Sequence, residues 1–277
     1  MMNQMVRIQR FSPVDRVFHL FVMVTFMIQA VTGAARLLYA TRWGKWMVGL
    51  FGGYESATAI HSWVGLVMLL GFVVHIAYVL ARVDWRGFPR SLFNADSLLP
   101  NLTDLRQLGQ RFRWFVGQGP PPKVDRWGYW EKFDYWAVFW GMPLFAVTGL
   151  MLMYPVGTSR LMPGWTLNVA LLFHRAEALL AIGYLFIVHF LVGHFRRETL
   201  PMNEAMFSGS VVLEKEREEK GAWIERLEQE GKLAQMAAAP PKPWFRVVYM
   251  VFGYSVVALG LYLLLNLLIY RSYIELH

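Results

Sequence analysis

Five apolar runs of about 20 residues, each able to cross the hydrocarbon core of a bilayer, constrain this 277-residue chain more than any other feature. They are Val17–Leu38, Thr58–Leu80, Tyr135–Tyr154, Leu167–Phe195 and Phe245–Tyr270. A backbone in lipid must satisfy its own N–H and C=O groups, so runs of this kind fold as helices. With 56% hydrophobic and 16% aromatic residues, the expected fold is an all-α polytopic membrane protein: a four-helix bundle plus a fifth, C-terminal transmembrane helix. The segments that follow are 1–210 for the four-helix domain, 211–243 for a charged cytoplasmic helix and linker, and 244–277 for the last helix. The first run is too long for a signal-peptide core and has no small-residue cleavage site after it, so it reads as a retained span.

The net charge of +8 is sorted by loop. Arg7, Arg10 and Arg16 precede span one, nine Lys and Arg residues lie between spans two and three, and Arg196 and Arg197 follow span four. The alternate segments hold few, mainly Arg36, Arg42, Lys45 and Arg160. The positive-inside rule then puts the N-terminus in the cytoplasm and the C-terminus outside. The same asymmetry explains the charge without nucleic acid. Asn101–Val116 carries apolar residues near helical spacing and reads as a helix lying on the membrane surface. Leu213–Ala234 is rich in Glu and Lys and reads as a solvated helix. No internal repeat stands out.

Six of the seven histidines lie in or beside the apolar runs: His19, His61, His75, His174, His189 and His194. Ionisable side chains are costly in a bilayer, so this points to a metal or cofactor. His61 and His75 are 14 residues apart on one helix, and His174 and His189 are 15 apart on another. Those steps return nearly to the same face, offset by about 40° and 60°, and span roughly 21 and 22 Å. Two histidine levels on two helices suit stacked bis-histidine haems, one near each membrane face. Cysteine is absent, so any haem is held non-covalently, and an iron–sulfur or c-type centre must belong to a partner.

His61 and His174 form the outer level. Four inner histidines exceed what one haem needs, so the surplus serves either a third haem or a quinone site, where a histidine near Asp15 or Glu131 passes protons. For His194 a snorkelling interfacial position beside Arg196 and Arg197 is an equal reading. Arg16, Arg36, Arg175 and Lys132 are placed to neutralise haem propionates or to anchor topology. Glu177, one turn after His174, is the most unusual acid.

Several fragments resemble a family, the membrane cytochrome b subunits of bacterial respiratory enzymes, typified by the gamma subunit of formate dehydrogenase and the cytochrome b of nickel–iron hydrogenase. They are Asp15-Arg16-Val17-Phe18-His19 with Thr32-Gly33; Ile60-His61-Ser62-Trp63-Val64-Gly65; Tyr129-Trp130-Glu131-Lys132 with Thr148-Gly149-Leu150; and Leu172-Phe173-His174 with Val188-His189-Phe190. Closer still are cytochrome b/b6-domain proteins with a Glu-Lys-x-x-Tyr-Trp run and a Pro-Met-Asn segment, here Pro201-Met202-Asn203. The resemblance covers about Arg7–Ser210. It implies His61 and His174 on an outer haem b, and His19 with His189 on an inner one next to menaquinone. His75 and His194 depart from that pattern, and the His174–His189 gap is one residue longer. Depth favours His75 with His189 instead.

The expected function is a b-type haem subunit of a respiratory complex, transferring electrons between a periplasmic iron–sulfur or multihaem c-type cytochrome subunit and menaquinone or ubiquinone. The alternatives are a stand-alone ferric or ascorbate-type transmembrane reductase and, from another class, a histidine-lined metal transporter.

Overall fold

The computed structural model describes residues 6–195 and 199–274; Arg196 and Arg197, read above as inner anchors, lie outside the described residues. Apart from isolated turns, the helices are α1 Pro13–Leu37, α2 Arg42–Leu50, α3 Tyr54–Ala81, α4 Leu102–Phe115, α5 Tyr129–Met153, α6 Pro155–Leu161, α7 Trp165–His194, α8 Leu213–Glu219, α9 Gly221–Gln229 and α10 Pro243–Ile269. Three short strands join them: β1 Arg7–Gln9, β2 Ser210–Val212 and β3 Ala237–Ala238. α1, α3, α5, α7 and α10 are long and apolar enough to cross a membrane, matching the five runs. α7 contains one π-helical stretch, Tyr184–His189.

The chain forms two compact units. The first contains the described residues of 17–76, 139–202 and 247–277, and so holds most of the spans. Its core joins Ala34 and Ala35 of α1 and the adjoining Leu38 to Trp43, Met47 and Val48 of α2, Phe186 of α7, and Val257, Leu263 and Leu267 of α10. α2 lies in the connection between the first two spans. The Thr41 hydroxyl caps it by accepting from Gly44 N at 3.0 Å, and Trp43 Nε1 donates to Tyr262 Oη at 2.8 Å. α10 buries Tyr249, Gly253, Val257, Gly260, Leu263 and Leu267, a three-to-four-residue stripe. Outward residues such as Trp63, Leu70 and Val73 are more than half exposed, an apolar exterior that lipid would cover.

The second unit gathers the described residues of 1–16, 77–138 and 203–246. Here the charged segment differs from the solvated helix expected. β1 pairs antiparallel with both β2 and β3, and Ile8 packs with Trp223, Ile224 and Leu227 in a small core. The three α9 residues share one helical face, enough to bury an otherwise polar segment. Arg10, 4% exposed, lies 4.7 Å from the ring centroids of both Trp127 and Trp223. Its guanidinium meets Glu131 and Glu216, each at 3.3 Å.

Candidate functional site

All six span histidines fall in the first unit and are half-buried. The outer two meet. His61 on α3 and His174 on α7 have ring centroids 6.2 Å apart and planes at 71°. A metal gripped by two imidazole nitrogens at about 2 Å, each ring centroid about 1.1 Å behind its nitrogen, separates the centroids by about 6.2 Å.

The hydroxyls around these rings define their protonation. Thr32 Oγ1 lies 2.9 Å from His61 Nδ1 and donates its own proton to Ile28 O at 2.7 Å. With that proton committed, the oxygen can only accept, so Nδ1 carries a hydrogen, and in the neutral imidazole Nε2 then keeps its lone pair. Thr148 repeats the device: Oγ1 is 2.9 Å from His174 Nδ1 and donates to Leu144 O at 2.7 Å. Neutral imidazole with Nδ1–H held by an acceptor is the tautomer a metal ligand requires.

Glycines adjoin both rings. A Cβ on Gly33 would stand 3.3 Å from His61 Cε1, and one on Gly149 3.6 Å from His174 Cε1. Gln29 Nε2 further fixes α3 by donating to the His61 carbonyl at 2.9 Å. The α1–α3 and α5–α7 pairs thus each supply a Thr-Gly and a facing histidine, a correspondence that the sequence, read for repeats, does not display.

The donor set fits haem b at this level. Arg36 lies within electrostatic range of both rings. Its Nε is buried with no hydrogen-bond partner among the described residues, and a propionate would satisfy it. Arg175, next to His174, lines a cavity of about 250 Å³ with Leu37, Ala40, Ser272 and Tyr273. Among the described residues no three His, Asp or Glu side chains converge as a metal cage.

At the inner level His189 and His194 have centroids 6.1 Å apart and planes at 82°. His19 lies within electrostatic range of both. The Nδ1 atoms of His19 and His194 are buried without a hydrogen-bond partner among the described residues. His75 packs edge-on against Phe18 at 4.7 Å and lies 6.1 Å from Phe139. Glu177 Oε1 lies against Gly141, 3.1 Å from where a Cβ would be.

Three further candidates belong to the second unit. Arg16 donates to Phe207 O at 2.5 Å. Lys132 bonds Asp104 at 3.0 Å and Leu99 O at 3.2 Å. Glu131 accepts from Gly128 N at 2.7 Å and pairs with Arg10 and Lys220. Burial pushes the Lys220 amine down, with the Glu131 charge opposing, and pushes the Glu216 carboxyl up against the pull of Arg10.

Thr32 and Thr148 are the residues that sequence reasoning missed. They were visible only inside the Thr-Gly fragments, without a role. The model of the family described as prokaryotic cytochrome b561 matches residues 10–209, which include α1, α3, α5, α7 and all six histidines but not α10. No curated protein matches the chain at a significant level. With its spans and paired imidazoles carried by the matched residues, the chain belongs to the prokaryotic cytochrome b561 family and is a multi-pass bacterial membrane protein of b-type haem electron transfer.

Proposed function

We propose that the chain is the haem-bearing membrane subunit of a respiratory complex, carrying electrons between a periplasmic iron–sulfur or multihaem c-type partner and the menaquinone or ubiquinone pool. The observation that carries this reading is the spacing of the histidines, 14 residues apart on α3 and 15 on α7, which a regular helix would stretch to roughly 21–22 Å. That separation bridges most of a bilayer core of about 30 Å. Haem b, held by histidines of these spans, would supply one-electron redox chemistry.

His61 and His174 are the outer ligands in this reading, with Nε2 presented by the Thr-fixed tautomers and Arg36 opposite the propionates. His189 is an inner ligand. His19, within electrostatic range of it, is its partner, as the family resemblance implies. His75 and His194 then remain for quinone chemistry at the inner end. A quinone takes up protons with its electrons, and imidazoles exchange protons near neutral pH. The basic loops put this end, and the N-terminus, on the cytoplasmic side.

Haem content tests the reading. Pyridine haemochrome analysis of purified protein should give two b haems per chain, with His61→Ala or His174→Ala removing one and leaving the other spectrally intact. One haem in the unmutated chain, or loss of both from His61→Ala with the helices intact, rejects the two-level assignment. Reduction by a menaquinol analogue should persist in His61→Ala and fail in His194→Ala at unchanged haem content.

A further inference from the structure

We propose that Thr32 and Thr148 are positioning residues that set how strongly His61 and His174 donate to iron, and so hold down the potential of the haem between them. This rests on the reading of those two histidines as axial ligands.

Both threonines are buried, at 0% and 5% exposure, so solvent does not compete for the imidazole N–H. Each hydroxyl proton is committed one turn back along its own helix, to Ile28 O and Leu144 O, leaving the oxygen as a fixed acceptor 2.9 Å from Nδ1. An acceptor on Nδ1–H draws the hydrogen away from the ring and makes Nε2 a stronger donor. Stronger donation favours the more positive, oxidised iron. A hydroxyl carries no charge, so the effect is smaller than that of the carboxylate partner found at many histidine–metal sites. It also adds no ion to the bilayer interior, where one is costly.

The device is duplicated across two helix pairs with different connections. Thr32 precedes His61 by 29 residues, and Thr148 precedes His174 by 26. Each threonine is followed by a glycine on which a Cβ would stand against the same imidazole. Fixing both rings by the same bond gives the iron two equivalent ligands. Neither hydroxyl needs to touch the cofactor to act.

The test is a mediated redox titration of purified protein, with Thr→Val and Thr→Ser variants at each position. Thr32→Val keeps the shape and removes the acceptor. It should shift the oxidised-to-reduced ratio of the outer haem about tenfold at fixed potential, raising its midpoint by about 59 mV for a one-electron couple. Thr148→Val should do the same, the double variant should add, and the other haem should not move. Thr32→Ser should restore the parent value. The electron paramagnetic resonance signal of the outer haem should also broaden in Thr32→Val as the ring loses its fixed orientation.

An unchanged midpoint in both Val variants with haem retained overturns the proposal. If Val loses haem while Ser keeps it, the hydroxyl requirement stands; if Ser loses it too, the role is packing and the proposal fails. A separate control isolates the underlying reading: should His61→Ala and His174→Ala keep the outer haem spectrum, ligand assignment is what failed.

Discussion

Gly260 in α10 is the position where one added methyl should be felt at the histidines. A Cβ there would stand 2.7, 2.9 and 3.0 Å from Phe186 Cδ1, Cε1 and Cγ, closer than carbon atoms pack. Phe186 cannot swing aside into solvent, since it is 1% exposed and wedged against Phe26 at 6.2 Å and Phe190 at 5.4 Å. It also belongs to the π-helical turn that ends at His189. Gly260→Ala should therefore cost about 1–3 kcal/mol, the usual range for an overpacked core. On the scale of about 2–4 °C per kcal/mol for large chains, that lowers the melting midpoint measurably. The strain should also reach His189 and perturb the inner haem band, leaving the outer one alone. Differential scanning fluorimetry with visible spectra would follow both effects. Gly193→Ala is the control, as nothing lies within 4 Å of its Cβ position. Phe186→Leu combined with Gly260→Ala should recover part of the loss, giving a favourable coupling in the double-mutant cycle. If Gly260→Ala melts with the parent and both haem bands are unmoved, α10 does not brace the π turn.

α4 exposes Leu105 and Phe112, at 65% and 63%, on an apolar face flanked by Arg106 and Arg113; in native membranes Leu105→Cys and Phe112→Cys should resist a water-soluble maleimide that labels Arg106→Cys, and equal labelling rejects burial of this face in lipid. Arg10→Ala leaves buried Glu216 without its guanidinium and should destabilise the second unit by about 3–5 kcal/mol, opening the 82–128 loop to trypsin, whereas Arg10→Lys keeps the charge but loses the flat contact with Trp127 and Trp223 and should fall between. Against desolvation, which raises it, Arg226 and Arg126 hold the Asp96 carboxyl below its ordinary value; the stabilisation is thus present above the unfolded value and lost as pH falls through the folded one, so amide exchange around 94–97, corrected for intrinsic rate, should lose protection below about pH 4. Exposed Glu218→Cys should stay unlabelled from outside intact cells, and labelling there reverses the topology.

The spans were readable because lipid leaves a long apolar run few options, but their ends were less so. Span three begins at Tyr129 rather than Tyr135 because Glu131 and Lys132, which look like a boundary in sequence, have their charges met by Arg10, Lys220 and Asp104. The small sheet went unseen because its strands are only two or three residues long and pair across some 200 residues of sequence. That six histidines sit in or at the edge of the spans was legible from the apolar runs around them. Which ones meet was not, since helix phase gives a face but not the rotation of a neighbouring helix. The threonines were hidden for a different reason: a helical Thr bonding to the preceding turn is ordinary, and only the opposing imidazole gives that bond a consequence.

The longer gap between His174 and His189 has a physical answer in the π turn. On a regular α-helix, 15 residues leave the second histidine about 60° past the first, whereas the 14 between His61 and His75 leave theirs about 40° short. The two helices would then aim their inner histidines roughly 100° apart in phase, one residue's rotation. A π turn closes its hydrogen bond over five residues instead of four and so takes up one extra residue. The turn at Tyr184–His189 lies between the two histidine levels of α7, where that extra residue has to be absorbed. An extra residue absorbed there would give the 15-residue step the phase and rise of a 14-residue one, so that His189 stands on α7 as His75 does on α3. Deleting Ile187 should therefore convert the stretch to plain α-helix while keeping His189 on its face, with haem content retained. Deleting Ala178, on the regular part of α7, demands the same repair at a distance from the π turn and should disturb the His174 level first. If the Ile187 deletion instead loses the inner haem and the Ala178 deletion spares both, the π turn is not what keeps the levels in register.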